Sequence, residues 1–261
     1  TVMYARSSLL RERLAAAAEL QAAVDEQGAI VIDPDSRLTQ LGLIPICDDS
    51  RYFFFESRAF GGQLKASLPE LTAEWLAEVF DVEGVRPYVA PAKQESIAEI
   101  TVSFGVGENA RKRIDDEFEH EVLAALLRQN RFILLDRGAG GEEATRVDRL
   151  VERLGAPALL LLHSGSYASF ASHISQSKLY IGYDSAGQHV AATGYIPLVS
   201  VFTGYACERM LFRWRPTGRT SHVVALSESD RSCALDRTLH AIGEAAEEAW
   251  AMSKGRMSTS T

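Results

Sequence analysis

The sequence predicts a doubly wound α/β domain with a parallel sheet, preceded by a smaller α/β segment. From about residue 91 onward, short apolar runs of strand length alternate with helical stretches, which is typical of βαβ units. Crossovers between parallel strands are right-handed, so such units build a Rossmann-like sheet with helices on both faces. The composition, 46% hydrophobic and 24% charged residues, is that of a globular protein.

The first 90 residues supply few elements. The predicted ones are a helix over 7–27, strands over 29–32 and 52–55, and a helix over 69–80. Segment 84–91 contains two prolines and favours a linker. We therefore divide the chain into residues 1–90, 91–233 and 234–261, the last being a helix and a tail.

The second segment is regular. Strands are predicted over 100–103, 132–135, 159–162, 179–181 and 198–202. The helices between them are predicted over 114–128, 142–154, 166–177 and 187–193, and a final amphipathic helix over 235–252.

Charge and cysteine content exclude several classes of protein. The formal net charge of −8 argues against a broad nucleic-acid surface, which needs clustered Lys and Arg. The three cysteines have neither metal-ligand spacing nor the pattern of a disulfide framework, so we expect no metal. No apolar run reaches the length of a transmembrane helix, and we see no export signal. We therefore expect a cytoplasmic protein without a transmembrane segment.

The junction after the fourth strand of the second segment carries the most information. Strand 179–181 runs through Gly182 and Tyr183 into a small-residue helix start, Asp184, Ser185, Ala186, Gly187 and Gln188, followed by His189. Free backbone N–H groups and the positive dipole end of such a helix suit a diphosphate. Asp184 and Ser185 could instead serve only as helix caps, and His189 could simply pack.

The junction after the first of these strands places Gly105 and Gly107 before a basic triplet, residues 111–113. Glycines let a backbone approach a ligand, although the third glycine of a dinucleotide fingerprint is missing. Arg111 or Lys112 at a helix start would oppose the helix dipole, so a bound anion would relieve an unfavourable placement. A solvated charge run explains the triplet equally well.

Two further junctions offer polar groups. A Gly-rich loop after the second strand ends at Glu142 and Glu143, either of which could accept hydrogen bonds from a sugar hydroxyl or simply favour a helix start. The loop after the third strand, which contains Ser166 and Tyr167, could line a nucleoside pocket. Tyr167 could equally belong to the core.

Together, these junctions resemble the C-terminal half of the heptosyltransferase-like glycosyltransferases, which use ADP-heptose and related donors. The resemblance covers about residues 98–218. It includes a Gly-Gly-Glu loop at 140–142 and a strand that ends in Asp-Ser/Thr-Gly-x-x-His-x-Ala-Ala, here 184–192. Ala186 departs from the family pattern, in which glycine is usual.

The resemblance implies a GT-B fold of two Rossmann-like domains, with the donor in the C-terminal one and the acceptor in the N-terminal one. It implies that Arg111 or Lys112 neutralises donor phosphate and that Glu142 or Glu143 contacts the ribose. Arg37, Gln40 and Arg58 would fall on the acceptor side. The implied reaction is inverting and metal-free and uses no cofactor, and the final helix would return to the N-terminal domain.

The N-terminal half matches the family less well. Family members open with a strand, a Gly-rich turn and an Asp thought to act as general base, and nothing before Tyr4 matches this. We expect that about 80–100 residues of an N-terminal Rossmann-like domain are absent, the base among them. Asp33 and Asp35 are substitute bases, but a strand-end Asp-Pro-Asp also forms a turn without any function.

The resemblance leaves three hypotheses. The first is a glycosyltransferase with a nucleoside-diphosphate donor, whose acceptor is a saccharide, a lipid-linked molecule or a small metabolite. The second is a sugar-nucleotide epimerase of the same fold, which needs an acid/base pair near the donor sugar. The third is a non-catalytic nucleotide-sugar-binding subunit.

Overall fold

The structure is a computed structural model, which describes residues 10–25, 29–35, 47–92, 95–107, 109–138, 140–218 and 220–258. The chain divides into two compact units, residues 1–85 and 86–261. The division lies inside the predicted linker 84–91.

The second unit contains a parallel sheet of six strands. They are β3 (Ile100–Ser103), β4 (Ile133–Asp136), β5 (Leu160–His163), β6 (Leu179–Tyr183), β7 (Leu198–Phe202) and β8 (Ser221–Ala225). Their order in the sheet is β5-β4-β3-β6-β7-β8, and every neighbouring pair is parallel. The chain therefore starts in the middle, winds outward to β5, and then returns to wind outward on the other side. This is the strand order of a Rossmann fold, as the alternating pattern predicted.

The helices of this unit follow the strands. They are α3 (Asp116–Leu127), α4 (Gly141–Arg153), α5 (Tyr167–Gln176), α6 (Ala186–Thr193), α7 (Glu208–Trp214) and α8 (Ala234–Ser258). The predicted strand and helix positions agree to within a few residues. Strand β8 and helix α7 were missed, because both are short and their hydrophobic pattern is weak.

Each sheet face has its own apolar core. One face packs against α3, α4 and α8, and the buried aliphatic positions of these helices meet alternate residues of the strands, such as Ile100 and Val102. The other face packs against α5 and α6 around Tyr180 and Leu198. Because strand side chains alternate between faces, the last residues of neighbouring strands present a row of side chains at one sheet edge.

Helix α8 packs against α3, β7 and β8, all in the second unit. Its predicted return to the N-terminal domain stays a prediction. In the described part of the chain, we find no helix that combines the length and the apolar character needed to cross a membrane.

In the described part of the first unit, the helices are α1 (Leu10–Val24) and α2 (Leu68–Phe80), and the strands are β1 (Val31–Asp33) and β2 (Tyr52–Phe54). The two strands pair in parallel. Phe55, Leu71 and Trp75 form the core between β2 and α2. Helix α2 begins with a capping box, in which Ser67 and Glu70 satisfy each other's backbone N–H groups.

Candidate functional site

The sheet order creates a switch point between β3 and β6. At these two central strands the winding direction reverses, so the loops that follow them leave the sheet toward opposite faces. In open parallel sheets, ligands bind in the crevice outside such a point. The predicted first and fourth junctions, which follow β3 and β6, therefore flank one crevice.

Lys112 and Asp184 form an ion pair across this crevice. The Lys112 Nζ lies 2.6 Å from Asp184 Oδ2 and donates to the Asp184 backbone oxygen at 3.3 Å. Asp184 is buried, whereas about a third of the lysine side chain is exposed. An ammonium group has three donors, and two of them are used by Asp184. The third is available to an anion in the crevice.

The start of α6 lacks a side-chain cap. Ser185 occupies the N-cap position in extended conformation and makes no capping hydrogen bond with its side chain. The Asp184 carboxylate is engaged by Lys112 and Gln188 instead. The structure therefore does not support the interpretation of these two residues as caps, and the first N–H groups of the helix keep their capacity to bind an anion.

The first turn of α6 packs so closely on Tyr180 that position 187 has no room for a side chain. A Cβ at Gly187 would lie 2.2 Å from the hydroxyl of Tyr180, which is fully buried beneath the helix start. The neighbouring Ala186 is exposed. The departure from the family pattern at Ala186 is therefore compatible with the packing, because the position that must be glycine here is 187.

His189 lies one turn into α6, half-buried beside the ion pair. Burial lowers its pKa below the ordinary histidine value, and Lys112 acts in the same direction, while Asp184 opposes the shift. The imidazole is therefore neutral near pH 7 and can donate one hydrogen bond without adding charge.

The basic triplet after β3 is placed differently from the prediction. Residues Ala110–Lys112 form a separate 3-10 turn, and α3 begins only at Asp116, capped by the Asp115 side chain. The triplet therefore does not oppose the helix dipole, and the predicted placement at a helix start was wrong. Its members also separate, since Arg111 is exposed while Lys112 enters the crevice.

The third basic residue of the triplet has a structural role. Arg113 Nε lies 2.6 Å from Glu119 Oε1, and its Nη2 also binds Asp116. Arg146 approaches the same Glu119 carboxylate and donates to the backbone oxygen of Phe104 at 2.9 Å. These contacts fasten both ends of the loop after β3 to α3 and α4.

The two glutamates of the second junction differ in position. Glu142 is exposed, whereas Glu143 is half-buried. A Cβ at either Gly105 or Gly138 would lie 2.4 Å from the Glu143 carboxylate, so these glycines admit it between the loops that follow β3 and β4. The structure therefore places Glu143, and not Glu142, beside the crevice. Gly107 has a positive φ of 61° in the same loop as Gly105.

A row of polar residues at the strand ends was missed by the sequence analysis. Ser103 ends β3, Asp136 ends β4 and His163 ends β5. The Ser103 hydroxyl donates to Asp136 Oδ2 at 3.2 Å, and His163 Nδ1 lies 3.4 Å from Asp136 Oδ1. The signal was available, because each residue is the polar end of an apolar strand at a βα junction.

This row orders the loops around Glu143. The backbone N–H of Gly105 donates to the Ser103 hydroxyl at 3.4 Å, and that of Gly138 donates to Asp136 Oδ1 at 3.2 Å. At both glycines, an added Cβ would meet the Glu143 carboxylate. Asp136 therefore fixes the surroundings of Glu143.

Two other predicted residues, Ser166 and Tyr167, lie at the start of α5. The Ser166 hydroxyl caps α5 by accepting a hydrogen bond from the Ser169 N–H at 3.2 Å. Its predicted contact with the nucleotide-sugar donor stays a prediction. Tyr167 is half-exposed and does not belong to the core.

In the first unit, the buried Asp33 accepts from the Asp35 N–H at 3.1 Å, as expected of a turn. Arg58 is exposed. Arg37 and Gln40 lie outside the described residues.

Within the described ranges, one group has ligand-type atoms close enough to share a metal ion. It consists of Glu117, His120 and Glu121, neighbours on α3. Glu117 is already paired with Arg153. The group lies on a helix turn and not at a strand end, so we assign it no part in the crevice.

Known proteins resemble the chain in sequence and in structure. Residues 101–239, more than half of the chain, match the model of glycosyltransferase family 9 (heptosyltransferase). No curated protein matches the sequence significantly.

Among solved structures, the Escherichia coli heptosyltransferase WaaC with ADP is similar at a TM-score of 0.64 and 18% identity, over 92% of this chain and 77% of that one. The glycosyl transferase family 9 protein from Veillonella parvula is similar at a TM-score of 0.62 and 13% identity, over 86% and 70%. These likenesses confirm the predicted GT-B fold. The chain belongs to glycosyltransferase family 9, the heptosyltransferase family, and is a glycosyltransferase.

Proposed function

We propose that the crevice between β3 and β6 binds a nucleoside-diphosphate sugar, with ADP-linked heptose or a related sugar as donor. The observation that carries this proposal is the Lys112–Asp184 pair at the switch point, 2.6 Å between Nζ and Oδ2, next to a helix start without a side-chain cap. Cationic and backbone donors converge there on one small volume. A diphosphate is the anion that such a volume suits.

The donor's other parts have candidate contacts nearby. The Glu143 carboxylate lies between the loops that follow β3 and β4, the first of which flanks the crevice, and it can accept hydrogen bonds from ribose hydroxyls. The neutral His189 can donate to a phosphate oxygen without a change of charge. The similar WaaC structure is of that protein with ADP, which supports the choice of adenine as the first nucleobase to test.

The proposed reaction is a single inverting displacement. An acceptor hydroxyl of a saccharide forms a bond to the anomeric carbon while the bond from that carbon to the diphosphate oxygen breaks. The hydroxyl proton passes to a general base, a role that we assign to none of the described residues. The nucleoside diphosphate leaves with the electron pair.

Charge builds on the leaving diphosphate in the transition state. The Lys112 ammonium and the N–H groups at the start of α6 are fixed before the reaction and face that charge, so they stabilise it without reorganisation. We therefore assign the stabilisation of the leaving diphosphate to these protein groups and not to a metal ion.

Calorimetric titration with ADP and UDP tests the donor site. The wild type is expected to bind ADP, and Lys112→Met should raise its dissociation constant about tenfold or more, as removal of a charge-assisted contact does. Arg128→Met, which removes an exposed cation at the end of α3, is the matched control and should bind like the wild type. Turnover of ADP-heptose by the full chain tests the reaction. Failure to bind either nucleotide would refute the proposal.

A further inference from the structure

We propose that Gln188 is a positioning residue of the donor site, which holds Asp184 so that the carboxylate presents Lys112 to the donor anion. The inference rests on the proposed function, because it concerns the same anion site. The family motif leaves this position open, so Gln188 has no role in the resemblance. It is fully buried.

The amide of Gln188 is held in one orientation. Its Nε2 donates to Asp184 Oδ1 at 2.8 Å and to the backbone oxygen of Trp214 at 3.2 Å, while its Oε1 accepts from the Ser200 hydroxyl. Both of these oxygens are acceptors, and a third neighbour of the nitrogen, His189 Nε2, lies 3.4 Å away. An exchanged amide would set oxygen against oxygen twice, so only this orientation satisfies the contacts.

The contacts form a chain from the sheet to the crevice. Ser200 is a fully buried residue of β7, a strand with pairing partners on both sides, and it is therefore a rigid origin. From Ser200 the chain passes through Gln188 to Asp184 Oδ1. The other carboxylate oxygen, Oδ2, binds Lys112. Both oxygens of Asp184 are thus occupied, and the plane of the carboxylate is fixed.

A fixed carboxylate matters because Lys112 is flexible. A lysine side chain is among those that lose the most conformational entropy when they are held in one position. If Asp184 holds the ammonium in place before the donor arrives, donor binding does not have to order the lysine side chain. Without Gln188, the buried Asp184 loses one of its two partners and can rotate away from the crevice. Lys112 then has to be ordered by the donor itself.

A double-mutant cycle separates positioning from general support of the fold. The dissociation constant of ADP is measured for the wild type, Gln188→Met, Lys112→Met and the double variant. We expect Gln188→Met to weaken ADP binding about tenfold in the wild-type background and by less than about twofold when Lys112 is already absent, because coupled residues are not additive. Gln129→Met, an exposed glutamine at the end of α3, is the control and should not change ADP binding.

Each result decides the matter. Equal losses in both backgrounds would mean that Gln188 acts independently of Lys112, and would overturn the inference while leaving the donor site in place. No binding of ADP or UDP by the wild type would overturn the proposed function and this inference together. If Gln188→Met does not fold, Ser200→Ala replaces it, since it removes one hydroxyl from the same chain of contacts. Its smaller loss, about threefold, should likewise vanish in the Lys112→Met background.

Discussion

Lys112 Nζ lies 2.6 Å from Asp184 Oδ2, although the two residues are 72 positions apart in the sequence. The contact joins the loop that follows β3 to the start of α6, on either side of the switch point. The pair joins a buried acid to a partly exposed base, and such a pair is costly to break by removing one partner only. The pair therefore matters both for stability and for the charge of the crevice.

Asp184→Asn should lower both the stability of the protein and its affinity for ADP. The amide keeps the shape of the carboxylate, but its Nδ2 or Oδ1 cannot satisfy Lys112 and Gln188 as the two carboxylate oxygens do. We expect the dissociation constant of ADP to rise about tenfold and the free energy of unfolding to fall by about 2–3 kcal/mol. Calorimetry and denaturant titration measure these two quantities. An Asn variant that binds ADP as tightly as the wild type would show that the pair does not present Lys112.

Gly187→Ala should destabilise the protein although alanine is normally the better helix former. The new methyl group would meet the hydroxyl of Tyr180 at 2.2 Å, and overpacking of a core costs about 1–3 kcal/mol. Thermal unfolding measures the loss.

A second variant tests whether the Tyr180 hydroxyl causes this loss of stability. Tyr180→Phe removes the hydroxyl that the new methyl group would meet, so it should restore most of the stability that Gly187→Ala loses. A double variant no more stable than Gly187→Ala alone would place the clash elsewhere.

Glu143→Gln should impair donor binding more than Glu142→Gln. The first carboxylate lies between Gly105 and Gly138, and the second is exposed. If Glu143 accepts from ribose hydroxyls, we expect its loss to raise the dissociation constant of ADP about tenfold and to reduce the preference for ADP over 2′-deoxy-ADP. Glu152→Gln, an exposed change on the same helix, is the control. Equal effects of the changes at 142 and 143 would contradict the assignment.

His189 should make the wild type less stable in acid. Its pKa in the folded protein lies below the ordinary value of 6.5, so the unfolded chain takes up the proton first as the pH falls. The free energy of unfolding therefore decreases below about pH 6.5, and His189→Gln should lack this part of the decrease. Melting temperatures at pH 7.5 and pH 5 measure it.

A matched change controls for the other histidines. His240 is exposed on α8, so His240→Gln should follow the wild type at both pH values. If His189→Gln loses as much stability on acidification as the wild type, the imidazole is not held neutral by its surroundings.

The sequence by itself determined the local elements and their order. Apolar runs that alternate with helical stretches, together with glycines and polar residues at their boundaries, were sufficient to predict a doubly wound sheet and to locate its βα junctions. These signals are local, since strand and helix periodicities of about 2.0 and 3.6 residues are visible within a short window. The same junctions, taken in order, carried the resemblance to the heptosyltransferase family.

Only the tertiary structure decided which side chains meet. Lys112 and not Arg111 reaches Asp184, Glu143 and not Glu142 lies beside the crevice, and Gln188 connects Ser200 to the same carboxylate. These choices depend on the register of neighbouring strands and on the direction of each helix start, which bring distant segments within a few ångströms. Such contacts leave no periodic trace in the sequence, because a buried amide or lysine is the same residue type as an exposed one.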